Sequence, residues 1–216
     1  MGLNQESNIG LKFGVIAIAA LAGAALFASA SAQADIKVGI VVSATGPAAS
    51  LGIPQKNTAA LLPREIAGQK VEYIVLDDAS DSSAAVVNTR KFIGENKVDA
   101  IIGSTTTPNT LAMIDVAAEG ETPVISLASS ARIIEPMSAK KAWMFKTPQT
   151  DVMMVLAILE HAAKRGMKTM GYIGFNDALG EAFYAEFEKF AEARHTKIVA
   201  NEPVPPRAPP VPGRVV

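Results

Sequence analysis

The sequence has no cysteine, only two histidines and a single tryptophan. Without cysteine there is no disulfide framework, no thiolate nucleophile and no Cys-ligated zinc. His161 and His195 lie far apart and neither has a metal-ligating partner at helical spacing, so both read as solvent-side helix residues and no metal site is expected. An excess of charge of one sign is also lacking: 20 Lys and Arg stand against 21 Asp and Glu, a formal net charge of -1. Nucleic acid binding requires clustered basic residues, commonly interleaved with aromatics, and neither is present. Absent too are the G-x-G-x-x-G fingerprint, the P-loop and the G-x-S-x-G nucleophile elbow. The glycines of residues 43–52 (SATGPAASLG), Gly46 and Gly52, have the wrong spacing for a phosphate-binding loop. No cofactor is therefore expected. An enzyme of Rossmann-like type, a hydrolase or dehydrogenase, has only its fold class in its favour, and fold does not imply function.

What the chain does have is an apolar start and a repeating rhythm. Phe13 to Phe27 is an apolar run preceded by Lys12 and followed by small residues ending in Ala32-Gln33-Ala34, the order of a cleavable export signal. As a helix this run would be about 22 Å long, short of the roughly 30 Å hydrocarbon core of a bilayer. Residues 1–34 thus read as a signal peptide cut after Ala34, with delivery to the periplasm, and no Cys follows to take a lipid.

From there the pattern alternates. Short β-branched runs at 37–42, 71–76, 98–102 and 123–126 read as buried strands, and the segments at 57–66, 81–94 and 111–119 read as helices. Gly94 is the expected C-cap of the second helix, with Asp81 or Ser82 at its start. A β-α-β-α-β-α-β order implies a parallel, doubly wound α/β sheet. Residues 132–146 break the rhythm and read as irregular. A further helix (151–165), strand (168–174), helix (181–194) and strand start (197–200) follow, so residues 147–150 read as a crossing into a second lobe of the same type. Residues 202–216 hold six prolines, which disfavour helix and central strand and read as an aberrant or disordered tail.

Two loops attract function. Residues 103–110 (GSTTTPNT) carry Ser104, Thr105, Thr106 and Thr107 where a strand ends and a helix begins, and residues 127–131 (LASSA) follow the next strand. The carboxyl edge of an open α/β sheet is where ligands collect, and a helix N-terminus there favours an anion. Asp77 and Asp78 have no third ligand nearby and read as caps. Met153, Met154, Met167 and Met170 read as core filler rather than as a metal site.

These ordered blocks, with VEYIVLDDASD and GYIGFNDALGEAFYAEFEKFAE, resemble the periplasmic solute-binding proteins of branched-chain amino acid ABC transporters, the leucine/isoleucine/valine type, over residues 36–201. The resemblance implies a clamshell of two α/β lobes, here 35–146 and an incomplete 147–201, that closes on a ligand and presents it to a membrane permease. It implies a non-enzymatic binder of an amino acid or related small carboxylate. Ungapped matching puts the first lobe's contacts on Thr107, with Thr106 beside it, and on Ala128 and Ser130, with Ser129 between. Leu51 and Leu179 stand where the family frequently carries aromatic rings, which softens the side-chain pocket and admits carboxylates other than leucine. Family members are considerably longer, so the acid that receives a ligand ammonium and the last elements of the first lobe have no counterpart in these 216 residues. A ligand-sensing receptor domain of the same fold, or a truncated non-functional fragment, are the alternatives.

Overall fold

A computed structural model describes residues 36–205 of the chain. The expected export signal and residues 206–216 of the proline-rich tail lie outside the described residues. Six strands form one sheet in the order β2-β3-β1-β4-β5-β6. They are β1 (Ile36–Val42), β2 (Glu65–Ile66), β3 (Gln69–Asp77), β4 (Ala100–Ile102), β5 (Val124–Ser126) and β6 (Met144–Lys146). All neighbours pair in parallel except the short β2, which turns antiparallel onto β3. Helices α1 (Ala49–Ala59), α2 (Ser82–Lys91) and α3 (Thr107–Glu119) supply the crossovers.

The strands alternate sides, and each side has its own core. Val41, Ile101 and Val124 pack with Ala85 of α2, Met113 and Ala117 of α3, and Phe92 just beyond α2, all nearly or fully buried. On the opposite face Ile40 and Val42 pack with Ala59 of α1, backed by Tyr73, Val75 and Ile102. Each large apolar side chain buried in this way stabilises the fold by about 1.5–3 kcal/mol before ordering entropy is subtracted.

A second sheet pairs β7 (Thr169–Phe175) in parallel with β8 (Lys197–Val204). Helices α4 (Asp151–Lys164) and α5 (Ala178–Ala191) lie on one of its faces, through Val155, Leu159, Phe187 and Ala191 against Met170, Tyr172 and Ile198.

Several elements differ from the sequence reading. Helix α1 starts at Ala49, inside what reads as a loop, and ends at Ala59 rather than Ile66. Gly52 and Pro54 are loop signals by composition, yet both lie within the helix. Gly52 is there because a Cβ would sit 1.9 Å from the Ser43 carbonyl oxygen, so close packing of α1 on the loop after β1 requires glycine. Ile66 belongs to a hairpin whose turn, Ala67 and Gly68, has φ of 52° and 80°.

Helix α3 starts four positions early, at Thr107, because Pro108 in the first helical turn has no N–H to leave unpaired and a φ already suited to a helix. Gly94 does not cap α2; it lies in a wider turn, Phe92–Asn96, and the left-handed residue is Lys97, φ 54°. The irregular stretch contains β6, a parallel neighbour of β5. Strand β8 runs on to Val204, so residues 202–204 of the supposed tail are paired with β7. Pro203 is accommodated because β8 lies at an edge of its sheet, where a missing N–H is tolerated. Met153 and Met167 are exposed rather than core.

Candidate functional site

Strand β1 has β3 on one side and β4 on the other, so the chain leaves the sheet in opposite directions at this point. A crevice opens there between the connections that follow β1 and β4. The aspartate pair at the end of β3 ties the crevice together. Asp78 is fully buried and accepts hydrogen bonds from Ser43 Oγ at 2.7 Å, from the Ser80 N–H at 3.0 Å and from Ser104 Oγ. One carboxylate thereby joins the loops after β1, β3 and β4. Asp77 accepts from the N–H groups of Ala44, Thr45 and Ala79 and from Thr45 Oγ1. Burial pushes the Asp77 carboxyl upward, but these four donors outweigh it and leave it below its usual value. As read from the sequence, the pair caps the turn after β3, Asp77 accepting the Ala79 N–H and Asp78 the Ser80 N–H, while Asp81 caps α2 by accepting the Ala84 N–H at 2.8 Å.

The loop after β4 is shaped by Gly103, at φ 128°, where a Cβ would lie 2.0 Å from the Val41 carbonyl oxygen. Thr105 Oγ1 accepts the Ser43 N–H at 2.9 Å and donates to Gln55 Oε1 of α1 at 2.6 Å. The loop after β5 is held by Ser126, whose Oγ accepts the Ala128 N–H at 3.0 Å.

A cavity of about 710 Å³ lies over this edge. Loops and helix ends of the six-stranded sheet line it, including Leu51, Thr106, Thr107, Ala128 and Ser129, and Phe175, Asp177 and Leu179 enter from the second sheet. Of the residues singled out in the sequence, the structure brings Leu51, Thr106, Thr107, Ala128, Ser129 and Leu179 to this one cavity. It does not bring the Ser130 side chain. Ser130 is fully buried and its Oγ donates to Asp151 Oδ2 at 3.1 Å, while the Ala131 N–H donates to Asp151 Oδ1 at 3.0 Å. Asp151, the first residue of α4, thus ties the loop after β5 to the start of the second sheet's layer.

Among the described residues the wall contains no Lys, Arg or His, and its single ionisable residue is Asp177. Asp177 Oδ1 caps α5 by accepting the N–H groups of Leu179 and Gly180 at 2.9 and 3.0 Å. A negative group in this cavity would be held by neutral donors and by the N-terminus of the 13-residue helix α3. Thr107, the first residue of α3, is 1% exposed and its Oγ1 has no hydrogen-bond partner. Asn109, Ser82, Phe175 and Asp177 also line the cavity and were not singled out in the sequence. For Asn109 the signal was present: a helix begun at Thr107 puts position 109 in its first turn. Among the described residues, no group of three or more acidic or histidine side chains could hold a metal.

The model of the periplasmic binding proteins matches residues 35–211. The chain belongs to the periplasmic binding protein family. Among solved structures it is similar to an extracellular ligand-binding receptor from Rhodopseudomonas palustris HaA2, at 44% identity and a TM-score of 0.80 over 83% of this chain and 50% of that one. A solute-binding protein of an ABC transporter from Rhodopseudomonas palustris BisB5, in complex with 3,4-dihydroxybenzoic acid, is 29% identical with a TM-score of 0.73 over 79% and 47% of the two chains. A leucine-binding protein from Thermotoga maritima MSB8, at 17% identity and a TM-score of 0.68 over 78% and 49%, shares the fold. No curated protein matches the chain. The chain spans about half the length of the solved relatives it matches.

Proposed function

We propose that this periplasmic binding protein is a substrate-binding component of an ABC transporter, and that its cavity takes the carboxylate of a small organic acid for delivery to a membrane permease. The observation that carries this reading is the buried, unpartnered Thr107 hydroxyl at the N-terminus of α3. A buried hydroxyl without a partner is unfavourable unless something supplies one. An oxyanion at a helix start, in a cavity whose described wall holds no cation to compete for it, does so. Thr106, Ala128 and Ser129 complete this side of the wall, with Leu51 and Leu179 as apolar neighbours. The chain is read as exported by its first 34 residues, with residues 35–146 contributing one jaw and 147–201 the start of the other.

The relative holding 3,4-dihydroxybenzoic acid supports an aromatic acid as the ligand class. An aliphatic amino acid is the second reading. It needs an acidic partner for its ammonium, and the only acid among the described residues of the wall, Asp177, already spends one oxygen on two backbone N–H groups.

The test is an NMR-monitored titration of the full chain with 3,4-dihydroxybenzoate, 4-hydroxybenzoate, benzoate and L-leucine. Carboxylate binding should move the backbone amides at the start of α3, and Thr107→Val should weaken the affinity by about tenfold or more, as loss of a charge-assisted hydrogen bond implies. If no probe moves those amides, or if Thr107→Val binds as the parent does, the assignment is wrong.

A further inference from the structure

Among the described residues, Thr107 Oγ1 is one of two buried, unpartnered polar atoms in residues of the cavity wall; the other is Asn109 Nδ2. Asn109 is 1% exposed. Its amide oxygen accepts the hydroxyl of Ser82 at 3.1 Å, from the first residue of α2. That bond occupies the oxygen end of the amide and leaves the NH₂ end, with two donors, facing no acceptor. An amide that served only to join α2 to α3 would be complete with the Ser82 bond. The idle donor end is the feature such a role leaves unexplained.

Thr107 and Asn109 are two positions apart on one helix, about 200° around its axis, so their side chains do not face one another. A single carboxylate held by Thr107 does not also satisfy Asn109. Elsewhere the described wall is largely apolar, with Leu51, Leu127, Leu179 and Phe175.

We propose that Asn109 is a specificity-determining residue, and that its Nδ2 donates to a second oxygen of the ligand, separate from the carboxylate at Thr107. The proposal rests on the carboxylate reading above and narrows it. The ligand class becomes a carboxylic acid with an apolar middle and a further oxygen acceptor, a hydroxyl, ether or carbonyl, rather than an acid whose remainder is hydrocarbon. An analogue lacking that oxygen would leave the buried amide unpaired, which is how a site built around a hydrogen bond rejects a close homologue. Ser82 is a positioning residue in this scheme, since it fixes which end of the amide is offered.

The same titration tests the proposal, now following the Asn109 side-chain NH₂ resonance, with 4-hydroxybenzoate and benzoate as the probe pair and the full chain as the sample. The expected result is that 4-hydroxybenzoate moves this resonance together with the α3 backbone amides, whereas benzoate moves only the backbone amides. Asn109→Leu, of similar volume and without the donor, should weaken 4-hydroxybenzoate by about five- to tenfold and benzoate by less than about twofold, as loss of one hydrogen bond implies. Ser82→Ala should reduce the discrimination between the two probes without abolishing binding. If the α3 amides respond but the Asn109 resonance does not, or if Asn109→Leu weakens both probes equally, Asn109 is structural and the carboxylate reading stands without it. If neither probe moves the α3 amides, both readings fall together. Should Asn109→Leu not fold, the response of the Asn109 resonance in the parent chain decides the matter alone.

Discussion

Asp77 and Asp78 are adjacent in sequence but face different surroundings. Asp78 is fully buried and satisfied by two serine hydroxyls and one N–H, so its removal would leave three donors from three different loops without a partner. Asp77 is exposed and holds the loop after β1 from outside. Its carboxyl is held below the usual value of 3.8, since four hydrogen-bond donors outweigh the upward push of burial. A folded-state value below the unfolded one gives stability that is present at neutral pH and is lost as the pH falls through the folded value. Asp77→Asn should therefore reduce stability at about pH 7, and the gap between parent and variant should narrow below about pH 4. Urea midpoints measured across that range check it; a gap that stays constant into acid would show that the charge is not what holds the loop. The exposure of Asp77 keeps the effect small, since solvent screens charge interactions at the surface.

At the scale of elements, the main strands were legible as short apolar runs between turn residues, and most of the helices by the spacing of their apolar positions. β1, β3, β4 and β5 have apolar side chains on both faces, and each yields a short β-branched run. β6 was not legible: three residues, Met144, Phe145 and Lys146, carry no period, and only pairing with β5 makes them a strand. The start of α1 was hidden by Gly52, whose role is contact with Ser43, a long-range fact invisible to local propensity. In the site, the hydroxyl-rich loop that carries Thr107 was legible through its place at a sheet edge, whereas the engagement of Ser130 by Asp151 depends on a partner 21 residues away. The layer on the second sheet is the thinner one, and Leu159 is its fully buried centre. Leu159→Ala should cost about 2–5 kcal/mol, the range for emptying a packed leucine site. The intended readout is selective loss of hydrogen-exchange protection in α4, α5 and β7, with the six-stranded sheet retained. Uniform loss through β1 and β4 as well would mean that the two sheets unfold as one cooperative unit.

For the molecule as a whole, the balance between covered and bare sheet faces sets its behaviour in solution. Helices α4 and α5 cover the face of β7 that carries Met170 and Tyr172. The side chains that alternate with these are bare, with Ile173 at 66%, Phe175 at 54% and, on β8, Val199 at 59% exposure. Part of the larger sheet is bare as well, since Ile125 and Phe145 are register partners on β5 and β6 and both are exposed. Phe175 belongs to the cavity wall; Ile173 and Val199 line no part of that cavity. Apolar side chains grouped on a strand face form the kind of patch that binds hydrophobic dyes and drives association, and strand edges beside it add unpaired backbone groups. The full chain should therefore enhance the fluorescence of an anilinonaphthalene dye and sediment faster as its concentration rises. Replacing Ile173 and Val199 together by Thr keeps β-branched residues in the strands while removing apolar surface, and should lower the dye signal by about half with little loss of folding stability. If dye binding and sedimentation are unchanged in the double variant, the association surface is the Ile125–Phe145 face, and the corresponding pair of threonine substitutions there should reduce both.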